Sequence, residues 1–328
     1  MQALLDICCG LDVHKDTVVA CIIKNISPGS SNSKDETEVE IKTYSTMLSD
    51  LEMLKGWIVE NGCRHVAMES TGVYWCPVFE TLETAFDGEI TILVANARHM
   101  RNVPGRKTDV KDAQWIASLL RAGLLNGSFI PDADVRELRQ LTRYRRNIVQ
   151  DVSQQKNRIE KTLQQAGFKL SSFLSDIFGV SGRGLINVLI KKGRVSPSEI
   201  DSETKRLSSS KKEEMKFALN GRLSVHQRNF LKLELEHLDS LLAHQAKIEF
   251  AISEKTKAFA DAAERLDTIP GIAAISAISI VAEVGTDMGK FPTAEHFCSW
   301  AGLSPGNNES AGKKKAHASL LETHISKG

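Results

Sequence analysis

No apolar run in these 328 residues approaches the roughly 20 needed to cross a membrane, so a spanning helix is not expected. The start, Met1-Gln2-Ala3, lacks the charged and apolar regions of a signal peptide. The six cysteines include the adjacent pair Cys8 and Cys9 and show no C-x-x-C spacing, which argues against both a zinc site and a disulfide framework. They read as small buried residues of a reduced, cytoplasmic protein. Charge of one sign is also lacking. The formal net charge is only +1, so any nucleic-acid binding must come from local basic patches rather than from a global field. What remains is the profile of a soluble globular chain, 41% hydrophobic and 25% charged, long enough for two or three domains.

Strands and helices alternate in the first part. Residues 4–13 read as a strand leading into a turn at His14-Lys15-Asp16, and the β-branched run 17–23 returns as the second arm of a hairpin. A Ser- and Asn-rich loop covers 26–36, and residues 38–45 are a third strand. Apolar spacing at Leu51, Leu54, Trp57 and Ile58 predicts a helix over 48–61. A short strand at 65–68 ends at Glu69; a helix at 78–86, a strand at 90–95 and a helix at 108–125 follow. The last of these carries Val110, Ala113, Ile116, Ala117, Leu120 and Leu124 on one face. Such alternation implies an α/β domain with a mixed sheet. From about Pro131 the pattern changes. Leu138, Leu141, Ile148, Val152, Ile159 and Leu163 step in a heptad-like way, and so do Leu231, Leu235, Leu238, Leu242 and Ile252. Two long helices forming a coiled-coil hairpin are expected, with 168–222 as an inserted helical and basic segment; an ordinary helical bundle is the alternative. The remainder, 266–328, is rich in Gly and Ala and turns lysine-rich near its end.

Four acids stand out by placement. Asp12 falls where the first strand gives way to its turn, an exposed edge position on this reading. Glu69 ends a later strand and is followed by the tight Ser70-Thr71-Gly72 turn. Asp109 and Asp112, spaced i, i+3 at a helix start, project from one face. Each alone has a dull explanation, as a solvated acid or a partner for the helix dipole. Together they offer the oxygen ligands that hard divalent cations require, and one or two such cations can activate the attacking and leaving oxygens of a phosphodiester. Arg98, Arg101, Arg106, Lys107 and Lys111 surround the last pair, as cations would around a nucleic-acid backbone. Arg143, Arg145 and Arg146 form a second cluster beside Tyr144, able to hold structured RNA by phosphate contact and stacking. Near the end, Thr268-Ile269-Pro270-Gly271-Ile272 reads as a turn between short helices, either a helix-hairpin-helix element or a plain packing turn. The polar segment Asn307-Asn308-Glu309-Ser310-Ala311-Gly312-Lys313-Lys314-Lys315 closes the series.

Gly10-Leu11-Asp12-Val13-His14-Lys15, Met68-Glu69-Ser70-Thr71-Gly72 and Lys107-Thr108-Asp109-Val110-Lys111-Asp112-Ala113 closely resemble the three acidic motifs of DEDD-type insertion-sequence transposases, the 110/1111 family. The resemblance continues through the helical region into the last segment. It implies an α/β RNase H-like (RuvC-like) domain over residues 1–128, with Asp12, Glu69, Asp109 and Asp112 as catalytic ligands of Mg²⁺ or Mn²⁺. It also implies an α-helical coiled-coil domain over 129–262 and a small α-helical C-terminal transposase domain over 263–328. In that last domain Ser310 matches the family's DNA-attacking nucleophile, and Lys313 and Lys314 lie beside it. The resemblance fades over 316–328, so this domain reads as shortened. The partners implied are donor and target DNA, a guide (bridge-type) noncoding RNA and further copies of the chain as a dimer or tetramer. The implied location is the prokaryotic cytoplasm, on the nucleoid when active. Three other readings compete: a resolvase-type nuclease using water, a nucleic-acid-binding remnant that does not cut, and an actin- or sugar-kinase-like ATPase. Gly10-Leu11-Asp12 with Thr17 fits the last only loosely, since no second such hairpin follows.

Overall fold

The computed structural model describes residues 4–25, 37–70, 72–96 and 112–303, and the backbone at 309–310 and 313–314. These fall into two compact units that divide between Ile130 and Pro131.

The first unit is built on five strands: β1 (Ile7–Val13), β2 (Thr17–Asn25), β3 (Thr37–Ser45), β4 (His65–Glu69) and β5 (Thr91–Ala95). Their order across the sheet is β3-β2-β1-β4-β5. The β1–β2 and β2–β3 pairs are antiparallel, while β1–β4 and β4–β5 are parallel. The β1–β2 turn closes where the His14 amide donates to the Thr17 carbonyl at 2.9 Å. Strand β1 lies at the centre of the sheet and is covered on both faces, which explains its nearly continuous apolar run. Asp12 is therefore on a central strand and not at an exposed edge; its side chain is only 22% exposed.

Helices α1 (Leu48–Glu60) and α2 (Trp75–Glu83) cover one face and α3 (Asp112–Arg121) the other. This mixed sheet with helices on both faces is the α/β arrangement expected of the first part of the chain. The four apolar positions expected on α1 are the ones it buries. Helix α2 begins earlier than its apolar pattern suggested. Its end is followed by a single 3-10 turn at Ala85–Gly88, where Phe86 and Asp87 take left-handed backbone angles. On α3, Leu124 is not part of the buried face. Gly123, at φ +67°, ends the helix and turns Leu124 outward, and Leu125 is buried instead. The expected start of that helix, 108–111, lies outside the described residues.

The second unit centres on two long helices, α4 (Ala133–Gln165) and α8 (Val225–Thr256). They run antiparallel: Lys255 pairs with Glu137, Arg145 with Glu249 at 2.7 Å, and the Gln155 side chain donates to the Glu234 carbonyl at 3.0 Å. Between them the chain forms α5 (Val180–Lys192), α6 (Pro197–Glu203) and α7 (Ser209–Ala218), which share one core with the nearby parts of both long helices. The base of the pair packs against α9 (Ala260–Asp267) and α10 (Ala274–Val284), through Leu138, Ile252, Val281 and Ala282. Arg139 ties this junction, donating to the carbonyls of Ala282 and Glu283, while Arg143 grips the Glu283 carboxylate with two bonds of 2.9 and 3.0 Å. Helix α11 (Ala294–Trp300) follows, and β6 (Glu309–Ser310) pairs antiparallel with β7 (Lys313–Lys314).

One local device in the inserted helices is pH-sensitive. Ser196 caps α6 and forms a reciprocal box with Glu199, whose carboxylate also meets Lys192. These donors pull the Glu199 carboxyl down to about 2. A depressed carboxylate stabilises the fold above the usual value of roughly 4.3, and that contribution is lost as pH falls toward about 2. Glu199→Gln is accordingly expected to flatten the dependence of the thermal midpoint on pH between about 5 and 2. Melting curves across that range check it, and an unchanged slope would refute the assignment.

Candidate active site

Successive residues of a strand point to opposite faces, and β1 uses the alternation fully. Cys9, Leu11 and Val13 join the core under α1 and α2. Cys8, Gly10 and Asp12 face α3. The Cys8 thiol lies 3.4 Å from the Ala117 carbonyl, and burial pushes that thiol up to about 11, so it is an inert packing group. Gly10 lies so close to the helix that a β-carbon built on it would sit 2.2 Å from the Ala113 carbonyl oxygen and 2.3 Å from the Ala117 nitrogen. Only a glycine lets the helix lie this low on the strand. The contact anchors the first turn of α3, where Asp112 is the first residue, over the β1 end that carries Asp12.

Glu69 arrives from the other side. The parallel register pairs Gly10 with Ala67 and Leu11 with Met68, so Glu69, the last residue of β4, comes next to Asp12. The proximity shows in the electrostatics. Burial raises the Asp12 carboxyl above its ordinary range; His14 opposes this from 3.5 Å, and the carboxylates of Asp112 and Glu69 add to the rise. Two of the other acids singled out by sequence, Glu69 at a strand end and Asp112 at a helix start, thus act electrostatically on Asp12. Asp109 lies outside the described residues. Among the described residues, no three His, Cys, Asp or Glu side chains close into a group able to hold a metal ion. The donor chemistry nonetheless fits a hard divalent cation. All three groups are carboxylates, and their mutual repulsion is of the kind a bound cation relieves.

The other site residues fare unevenly. Arg98, Arg101, Arg106, Lys107 and Lys111 lie outside the described residues. Arg143 and Arg145 are both engaged within the chain, with Glu283 and Glu249, while Arg146 is exposed. Ser310 falls in β6 and Lys313 and Lys314 in β7, where the backbone alone is described. Sequence reasoning passed over His14 as a group acting on Asp12, although its position two residues on, past the strand's end, was the available signal.

Comparison with known proteins agrees with the geometry. The DEDD-type IS110 transposase model, described as Transposase, matches residues 9–168, and a second, described as Transposase IS116/IS110/IS902 family, matches 263–322. The second match runs to residue 322, so the likeness to the family does not stop at residue 316 as expected. No curated protein matches the chain. Among solved structures, Thermus thermophilus RuvC is similar at 9% identity and a TM-score of 0.28, covering 37% of this chain and 99% of its own. No helix among the described residues is long and apolar enough to cross a membrane. Transposases of the DEDD type generally use divalent metal ions and act on DNA. The two family matches, one at each end of the chain, make it an IS110-type DNA transposase or recombinase.

Proposed function

We propose that the chain is an RNA-guided recombinase that cuts and rejoins donor and target DNA through a serine. The observation that carries this reading is the meeting of Asp12, Glu69 and Asp112 at one end of β1. With Asp109 they are the ligand set for Mg²⁺ or Mn²⁺. A divalent cation held there supplies charge stabilisation to the phosphodiester oxygens. Ser310 is the nucleophile: its Oγ bonds to the scissile phosphorus as the bond to the leaving DNA oxygen breaks, and the hydroxyl proton passes to a nearby base. The phosphoserine so formed retains the bond energy. A hydroxyl of the exchanged strand then attacks it and releases Ser310, without ATP. Lys313, paired with Ser310 across the two short strands, and Lys314 favour the charged transition state.

In the same reading, residues 1–128, 129–262 and 263–328 act as catalytic, coiled-coil and transposase domains. The antiparallel pairing of α4 with α8 through leucine and isoleucine supports the coiled coil. Arg98, Arg101, Arg106, Lys107, Lys111 and Arg146 contact nucleic acid; Arg143 and Arg145 do so only by exchanging their present carboxylate partners. A guide noncoding RNA selects the DNA, and a dimer or tetramer in the prokaryotic cytoplasm brings two duplexes together. The family resemblance supports both.

The test incubates the chain with Mg²⁺, the element's flanking noncoding RNA and end-labelled donor and target DNA, then denatures the protein. Label retained on the wild type and lost in Ser310→Ala is the expected result. Cleavage that persists in Ser310→Ala, with no retained label, would mean hydrolysis by water and would end the serine mechanism.

A further inference from the structure

One local excess of positive charge in this nearly neutral chain lies in its inserted helices. Residues 168–222 hold eleven Lys and Arg against six Asp and Glu, in a protein whose net charge is +1. Part of that charge frames an open groove of about 330 Å³ where the end of α5 meets the start of α8, lined by Lys192, Arg222, Gln227, Arg228 and the stretch 223–225. Its walls are fixed. The Leu223 amide donates to the Gly193 carbonyl at 2.7 Å, and Arg228 donates to the carbonyls of Ile190 and Lys191. Arg194 and Arg222 therefore flank a paired stretch of backbone.

The bland account is that these cations neutralise the negative end of α5. It covers Arg228, which is spent on carbonyls, and much of Lys192, which pairs with Glu199. Lys191 shares that last turn, but neither it nor Arg194 nor Arg222 is spent on a carbonyl or a carboxylate. All three are exposed, and their side chains make no hydrogen bond or ion pair within the described residues. Three unspent cations beside a rigid polar groove form a site for an extended polyanion. The groove has no aromatic lining on which unstacked bases could rest, which favours a paired duplex held by its phosphates over a single strand.

We propose that this groove, with Lys191, Arg194 and Arg222, is a second, sequence-independent contact for the phosphate backbone of duplex DNA. It lies in the inserted helices and uses none of the acids of the candidate active site. The inference rests on the chain acting on DNA and not on the serine or acid chemistry proposed above.

The test measures binding by the full chain to a random-sequence DNA duplex across a range of salt concentrations, and to an RNA duplex of the same sequence. Both proteins carry Asp12→Asn, so cleavage plays no part. Each phosphate contact contributes about 0.9 to the slope of log affinity against log salt. Lys191→Ala/Arg194→Ala/Arg222→Ala is expected to make the DNA slope shallower by about 2 to 3 and to weaken binding about tenfold or more near 0.1 M salt. Its melting midpoint should change little, because the lost side chains make no hydrogen bond or ion pair among the described residues. Lys191→Arg/Arg194→Lys/Arg222→Lys should restore the slope. An unchanged slope on DNA, or a loss confined to the RNA duplex, would overturn the proposal.

Discussion

Asp12→Asn is expected to cut strand cleavage by about a thousandfold or more while leaving the protein at least as heat-stable as the parent. The first half follows from the ligand role. Losing charge stabilisation of several kcal/mol costs a factor of ten for roughly every 1.4 kcal/mol. The second half follows from the surroundings. Asp12 is half-buried on the central strand, next to Glu69 and Asp112, and its ionised form is disfavoured first by burial and then by those like charges. Asparagine keeps the shape and removes the repulsion. A divalent cation should reverse the order, raising the melting midpoint of the parent more than that of the variant, because ions that bind only the folded state stabilise it by mass action. Scanning calorimetry with and without Mg²⁺, beside a cleavage assay, reads all three quantities. An Asp12→Asn protein that melts lower than its parent without metal would show that the carboxylate is a structural partner rather than a strained ligand.

Gly10→Ala should be among the most damaging single-methyl changes available to the first unit. The added carbon meets the Ala113 carbonyl and the Ala117 nitrogen at 2.2 and 2.3 Å, which are main-chain atoms that cannot rotate away. Either α3 lifts off the sheet or β1 is pushed through it toward α1. Overpacking of this sort costs about 1 to 3 kcal/mol, and a clash with fixed main-chain atoms belongs at the upper end. Lifting α3 also carries Asp112 away from Asp12, so cleavage should fall further than the loss of folded protein explains. Denaturant melts give the first number, and cleavage per folded molecule gives the second. A Gly10→Ala protein that melts within a degree of its parent and cleaves normally would mean that helix and strand are not in this contact.

Gly10 also marks the limit of what the sequence could tell. The hairpin of β1 and β2, the burial of Leu51, Leu54, Trp57 and Ile58, and the two long helices were all legible, because each is written in local period and branching. The acids were legible as a set through the resemblance and the strand-end positions. Asp12 was nonetheless placed at an exposed edge, since a strand's rank within a sheet depends on partners far along the chain. Leu124 was assigned to the buried face because its spacing fits, and the left-handed turn at Gly123 overrides spacing. Arg143 and Arg145 read as open cations, because Glu283 and Glu249, more than a hundred residues later, are invisible to any local pattern.

The antiparallel pair of α4 and α8 has a metric consequence. Arg228, in the wall of the basic groove, and Ile252, in the core shared with α9 and α10, stand 24 residues apart on one helix, about 36 Å at roughly 1.5 Å per residue. The groove and the core shared with α9 and α10 are thus set apart by a length that residue count alone fixes, and two helical turns inserted into the pair would part them by about 11 Å more.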